Sequence, residues 1–159
     1  MLRDKNLVSL SRQHQHALAL CVRITRGLQQ QGADVAPWQA EVAQAFNQEI
    51  RVHFQVEEAV LFPAAAAFAS LRPLVDELLC EHSELRSLFA QAGEGLLNRQ
   101  KVLEFAQKLS EHVRKEERQL FEELQKLLPP EKMAALGVAL ETGLSQAITA
   151  CALPPPVQE

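Results

Sequence analysis

The chain has 159 residues, a net charge of −4, 47% hydrophobic residues and 23% charged residues. We therefore expect one folded domain over residues 1–159, and the negative charge argues against a nucleic-acid partner. The sequence contains no run of about 18 apolar residues, so we expect no membrane span.

Glycine and proline residues divide the chain into five segments of helical length. The breaks fall near residues 32–37, 70–73, 93–99, 129–130 and 154–156. Apolar residues recur at three- and four-residue intervals within each segment, which is the pattern of a helix with one buried face. The sequence thus predicts an all-α protein. We expect an antiparallel up-down-up-down four-helix bundle over about residues 7–128, with an additional C-terminal helix over about residues 130–152.

Two segments each have two structural interpretations. Pro63 lies inside the second segment and should end or kink its helix, although the alanines that follow could resume it. The fifth segment has an apolar stripe that either covers the bundle or forms the interface of a homodimer. The stripe comprises Met133, Leu136, Leu140, Leu144 and Ile148.

In the first four segments, histidine or glutamate occupies positions where the apolar period predicts leucine. Segments two and four both read HxxxEExxLF, beginning at His53 and at His112. Segments one and three both contain Lxx(Q/E)H, ending at His14 and at His82. This order predicts two similar helical hairpins related by a pseudo-two-fold axis.

Each HxxxE block places an imidazole and a carboxylate on one face of a helix, about one turn apart. If the two blocks face each other across a core, burial of their carboxylates without compensation costs several kcal/mol. A pair of divalent cations supplies that compensation, and mixed nitrogen and oxygen ligands suit iron or manganese. The candidate metal ligands are His14, His53, Glu57, His82, His112 and Glu116.

This arrangement resembles the hemerythrin-like family of HHE cation-binding domains over about residues 7–128. The Leu-Phe pairs at 61–62 and 120–121, which follow the two HxxxE blocks, are also typical of that family. The resemblance implies an up-down-up-down bundle around two iron ions with an oxo or hydroxo bridge, with manganese or zinc as possible substitutes. It makes Glu57 and Glu116 bridging carboxylates and implies four terminal ligands: His14, His53, His82 and His112.

One position departs from the oxygen-carrying hemerythrins, which use HxxxH on the third helix and five histidine ligands. Here the residue four positions after His82 is Arg86. Four histidines and two bridging carboxylates supply about eight of the twelve octahedral positions of two ions, and an oxo or hydroxo bridge fills two more. Room remains for a small ligand on each iron. We therefore expect O2, NO or peroxide as partners, with O2 or NO binding or sensing, or iron handling, as the function.

Other functions stay open. A di-iron oxidase or peroxidase, or a relative of proteins that repair iron–sulfur centres after nitrosative stress, would use a similar ligand set. Ferritin-type oxidases carry ExxH motifs and more carboxylates, so the nitrogen-rich set argues against a ferritin-type ferroxidase. We expect a binding protein more than an enzyme, and we assign no catalytic residue. The third alternative is a metal-free interaction bundle in which the histidines are ordinary polar groups of the core.

His16 is an alternative to His14 as a ligand. His14 shares a helix face with Leu7, Leu10 and Cys21, whereas the helical period places His16 on the rim or surface. We therefore assign the ligand position to His14.

Four charged residues near the candidate ligands have two interpretations each. Glu58 and Glu117 are repeated as well, and are either partners of the ligands or solvated charges, since their spacing from the histidines is poor for ligation. Glu49 either accepts a hydrogen bond from a ligand imidazole or lies on the surface. Arg86 either attracts anions to the site or is a surface charge.

The cysteines indicate a compartment. Cys21, Cys80 and Cys151 form no CxxC pair, which favours free thiols in a reducing environment. The N-terminal sequence shows no apolar core of signal-peptide type. We therefore expect a cytoplasmic protein.

Overall fold

The computed structural model describes residues 2–30 and 32–151, with side chains up to residue 146. All regular structure in this part of the chain is helical, which confirms the all-α prediction, whereas the up-down order of the helices stays a prediction. The long helices are α1 (Val8–Gly27), α2 (residues 36–66), α3 (Arg72–Gly93), α4 (residues 99–127) and α5 (Pro130–Cys151). A 3₁₀ turn over Lys5–Leu7 precedes α1.

Helices α2 and α4 contain π-helical turns. These turns span Phe46–Ile50 and Glu57–Leu61 in α2, and Glu116–Leu120 in α4. Two of them begin at repeat-related glutamates: the Phe62 N–H donates to the Glu57 carbonyl, and the Phe121 N–H donates to the Glu116 carbonyl. Because π turns inside α-helices occur frequently at functional sites, this shared position makes the two glutamates candidate functional residues.

Pro63 does not end its helix, and the alanines that follow it continue the helix, which is the alternative that the sequence left open. The chain continues as α-helix over Phe62–Ala66, with Pro63 in the first turn of that piece. The first turn tolerates proline because its N–H groups need no partner inside the piece. The preceding π turn and the exposed position of the Pro63 ring leave the backbone room to continue.

Two apolar clusters lie on either side of the histidine and glutamate positions. On α1, Leu10 belongs to one cluster and Ala17 to the other; on α3, Leu78 and Leu85 are divided in the same way. Burial of a leucine side chain contributes about 1.5–3 kcal/mol, so both clusters stabilise the bundle substantially. The polar residues between these positions are therefore held in a layer with apolar packing above and below.

Helix α5 packs on the apolar cluster that contains Leu10 and Leu78, as expected if its apolar stripe covers the bundle. Met133, Leu136, Leu140 and Leu144 are buried, while the Ile148 side chain lies outside the described residues. The contact is close at Gly137, where a Cβ atom would lie 2.6 Å from Cβ of Asn6. None of the described helices combines the length and the hydrophobicity that a membrane span requires.

Candidate metal centre

Helices α1 to α4 each contribute histidine or glutamate side chains to one buried cluster. His14 comes from α1 and His82 from α3, and the two HxxxE blocks come from α2 and α4. All six predicted ligands are present in it, and each is at most 5% exposed. The i,i+4 spacing explains why each block presents both of its side chains to the same interior. The members are His14, His53, Glu57, His82, His112 and Glu116.

The cluster consists of two groups of candidate ligands, which we call half-sites, and the first contains His14 and His53. Their Nε2 atoms are 3.0 Å apart. The Nε2 atom of His53 is 2.9 Å from Oε1 of Glu57, and that of His14 is 3.1 Å from Oε2 of Glu116. Two donors bound at right angles to one ion, each at about 2.1 Å, lie about 3 Å apart. The donor spacing of this half-site therefore suits a single cation.

The second half-site is built on His82 and His112. Their Nε2 atoms are 3.1 Å apart. Oε2 of Glu57 is 3.4 Å from Nε2 of His82, and Oε2 of Glu116 is 3.5 Å from Nε2 of His112. The two half-sites thus have the same set of donor groups, two imidazoles and two carboxylates.

Glu57 and Glu116 belong to both half-sites. Candidate ligand atoms in each group of four lie within 4.8 Å of one another, and both groups contain the two glutamates. Both side chains are 0% exposed. Apart from the contacts with imidazole nitrogens given above, none of their four carboxylate oxygens has a hydrogen-bond partner among the described residues. An uncompensated buried carboxylate costs several kcal/mol, so this geometry fits a pair of cations bridged by the two carboxylates.

The outer nitrogen of each cluster histidine is held by an oxygen acceptor. His14 Nδ1 donates to Glu117 (2.8 Å), His53 Nδ1 to Gln13 (2.7 Å), His82 Nδ1 to Glu58 (2.8 Å) and His112 Nδ1 to Glu81 (2.8 Å). Since these oxygens only accept, each Nδ1 carries a proton and each Nε2 faces the interior of the cluster, where a cation would bind. Metal-ligating histidines are typically oriented in this way.

Two arginines fix the glutamates that hold the histidines. Arg3 Nη2 lies 2.6 Å from Glu117 Oε2, and its guanidinium stacks over the Phe121 ring. Arg86 Nη1 lies 2.6 Å from Glu58 Oε1. Arg86 therefore pairs with a partner of His82, which differs from both roles considered for it from the sequence.

Histidines and glutamates in and around the cluster shift one another's pKa values. Burial lowers the pKa of His14, but Glu116, Glu117 and Glu57 outweigh burial and raise this pKa well above its usual value. Burial raises the pKa of Glu57, but His53, His14 and His82 lower it well below its usual value. Burial also raises the pKa of Glu117, which the hydrogen bond from His14 and other contacts lower to about 2. Glu57 and Glu117 thus retain their negative charges, which attract positive charge to the cluster.

The remaining predicted neighbours lie outside the cluster. His16 has a side chain that is 69% exposed, and its Nδ1 contacts Glu49 at 3.1 Å. Glu49 therefore pairs with a surface histidine, and not with an imidazole of the cluster.

Sequence analysis missed the partners Gln13, Glu81 and Arg3. The signal for the first two was present, because they are the variable residue of the Lxx(Q/E)H repeat. Each of them bonds the histidine of the neighbouring HxxxE block, and not the histidine that follows it in sequence. Arg3 had no comparable signal, since it lies before the first repeat and reaches Glu117 only in the folded chain.

A family model for the hemerythrin HHE cation-binding domain matches residues 7–124. This range contains all six members of the buried cluster. No curated protein and no solved structure matches the chain significantly.

Proposed function

Because the chain belongs to the hemerythrin HHE cation-binding family, we propose that the buried cluster holds two iron ions, one in each half-site. Glu57 and Glu116 would bridge the ions, and each half-site would add two histidines. The sharing of both glutamates between the two groups of ligands carries this proposal. The complete burial of both carboxylates supports it, because cations would compensate their negative charge.

The donor chemistry favours iron over most other metals. Imidazole nitrogens with carboxylate oxygens suit iron or manganese, and zinc would be a redox-inactive substitute. The iron ions would supply exchangeable ligand positions and one-electron redox chemistry. The residues of the chain orient the Nε2 lone pairs, balance the charge of the cations and exclude bulk water.

The space beside the cluster favours a very small ligand. A gap of about 10 Å³ adjoins the first half-site, and apolar side chains line much of it. This volume is about the minimum that holds one water molecule. A diatomic molecule fits such a space far better than an organic substrate does. We therefore propose that the centre binds or senses O2 or NO. The apolar side chains lining the gap are Ala17, Ile50, Phe54, Leu109 and Val113.

We include a cytoplasmic location in the proposal. Cys21 and Cys80 are both free, and free thiols are the usual state in a reducing compartment. Cys21 is buried, and burial raises the pKa of its thiol to about 12, so this thiol resists oxidation. The thiolate form that reacts with oxidants is therefore scarce at Cys21.

The test is a titration of the anaerobically reduced, iron-loaded protein with NO and, separately, with O2. We expect a saturable change in the electronic spectrum with at least one of these ligands. Ala17→Leu, which fills the gap, should slow that change while leaving the iron content intact. Ala19→Leu on the exposed side of α1 is the matched control. An iron-loaded protein whose spectrum responds to neither ligand would contradict ligand binding and favour iron handling.

A further inference from the structure

The hydrogen bonds around the cluster break its repeat symmetry at one pair of positions. Glu58 and Glu117 are related by the repeat, and each accepts from a histidine and pairs with an arginine. Gln13 and Glu81 are also related by the repeat, yet one is an amide and the other a carboxylate. His53 thus donates to a neutral oxygen, whereas His112 donates to a carboxylate.

A carboxylate acceptor changes the imidazole that donates to it. Hydrogen bonds to a charged acceptor are roughly twice as strong as those to a neutral one. A carboxylate on Nδ1–H also increases the basicity of the opposite nitrogen, which is the metal ligand. The inner nitrogen of His112 is therefore a stronger donor to a cation than the inner nitrogen of His53.

Lys115 does not cancel this difference. Its ammonium contacts Oε1 of Glu81, while Oε2 of Glu81 remains bonded to His112. Lys115 also pairs with Glu77 at 2.6 Å, so its single positive charge is shared between two carboxylates. The two glutamates and the lysine together keep a net negative charge beside the second half-site.

We propose that the second half-site binds its cation more tightly than the first, and that Glu81 and Gln13 set this difference in affinity. This proposal rests on the two-ion centre proposed above. Both half-sites have the same kinds of ligating groups, and the shorter imidazole–carboxylate distances of the first half-site do not favour the second, so the proposed order arises from the groups that hold the imidazoles. Glu81 and Gln13 act as positioning residues through His112 and His53. The centre would therefore fill in a fixed order, second half-site first.

The test uses Co²⁺ as the probe and measures two stepwise affinities by competition with a chelator. Glu81→Gln should lower the first affinity by roughly five- to tenfold and leave the second within about twofold. Gln13→Glu should raise the second affinity by a similar factor and change the first little. The double variant Gln13→Glu/Glu81→Gln exchanges the two environments, so both affinities should return to their wild-type values.

Glu84→Gln is the matched control, because Glu84 lies on α3, pairs with exposed Lys108 and touches no cluster histidine. It removes one negative charge and should leave both affinities unchanged. If Glu81→Gln still binds two Co²⁺ ions, then a decrease in its second affinity would overturn the inference. An absence of change in both affinities would also overturn it. A wild-type chain that binds no Co²⁺ would instead contradict the two-ion centre itself.

Discussion

Removal of the Glu117 side chain should weaken cation binding at the first half-site. Glu117 accepts from His14 Nδ1 at 2.8 Å and from Ser11 at 2.7 Å, so it fixes the ring and its proton. Loss of such a partner typically costs 10–100-fold in metal affinity, or about 1.4–2.8 kcal/mol. We expect Glu117→Ala to reach the upper part of this range and Glu117→Gln, which keeps an acceptor oxygen, the lower part.

The structure indicates that Glu117→Ala leaves the N-terminal segment in place. Arg3 retains its bonds to the Glu117 carbonyl at 2.6 Å and to Gln125 at 3.0 Å. The loss of affinity should therefore arise from His14, and not from release of the segment before α1. A competition titration with Co²⁺ and a chelator measures the effect on each of the two affinities.

The control for Glu117→Ala is Glu123→Ala on the same helix. Glu123 is exposed and pairs only with Lys126 among the contacts that the structure gives. We expect wild-type affinities for this variant. If Glu117→Ala also binds both cations with wild-type affinity, then His14 is not held for ligation by Glu117, and the reasoning is wrong.

Three further predictions concern metal removal, α5 packing and Arg86. Removal of the cations should lower the thermal unfolding midpoint followed by circular dichroism, because buried carboxylates lose their compensation, and re-addition should restore it; an unchanged midpoint would argue against bound cations. Gly137→Ala should destabilise the fold by about 1–3 kcal/mol in urea unfolding, since its Cβ would clash with Asn6, whereas Gly93→Ala, whose nearest contact is 3.9 Å away, should not. Arg86→Met should weaken Co²⁺ binding less than Glu58→Ala does, because Arg86 acts on His82 only through Glu58; an equal or larger loss would refute that order.

Most of the helical framework follows from local pattern. The apolar periods and the glycine and proline positions predict the five helices, and Pro130 is the first residue of α5, a position at which helices favour proline. Pro63 shows the limit of local rules, because they left open whether α2 ends at this residue or continues past it. The π turn before Pro63 begins at Glu57, whose side chain lies in the buried cluster, and apolar periodicity does not predict such a turn.

The inner part of the cluster was more predictable than its surroundings. The HxxxE spacing alone places His53 beside Glu57, since both lie on one helix face. The bond from His53 to Gln13 joins α2 to α1, and the bond from Arg3 to Glu117 joins the N-terminal segment to α4. Such contacts depend on the relative placement of elements far apart in the chain, which periodicity does not encode.

Glu57 and Glu116 bridge two cations in the proposed centre, and magnetic coupling tests this arrangement most directly. The measurement is electron paramagnetic resonance of the oxidised, iron-loaded protein, with its spin quantified against the iron content of the same sample. We expect about two iron ions per chain and almost no signal from isolated high-spin ferric ions, because bridged ions couple. A full-intensity signal of isolated ferric ions, or a folded helical chain with iron content near zero, would contradict the bridged centre.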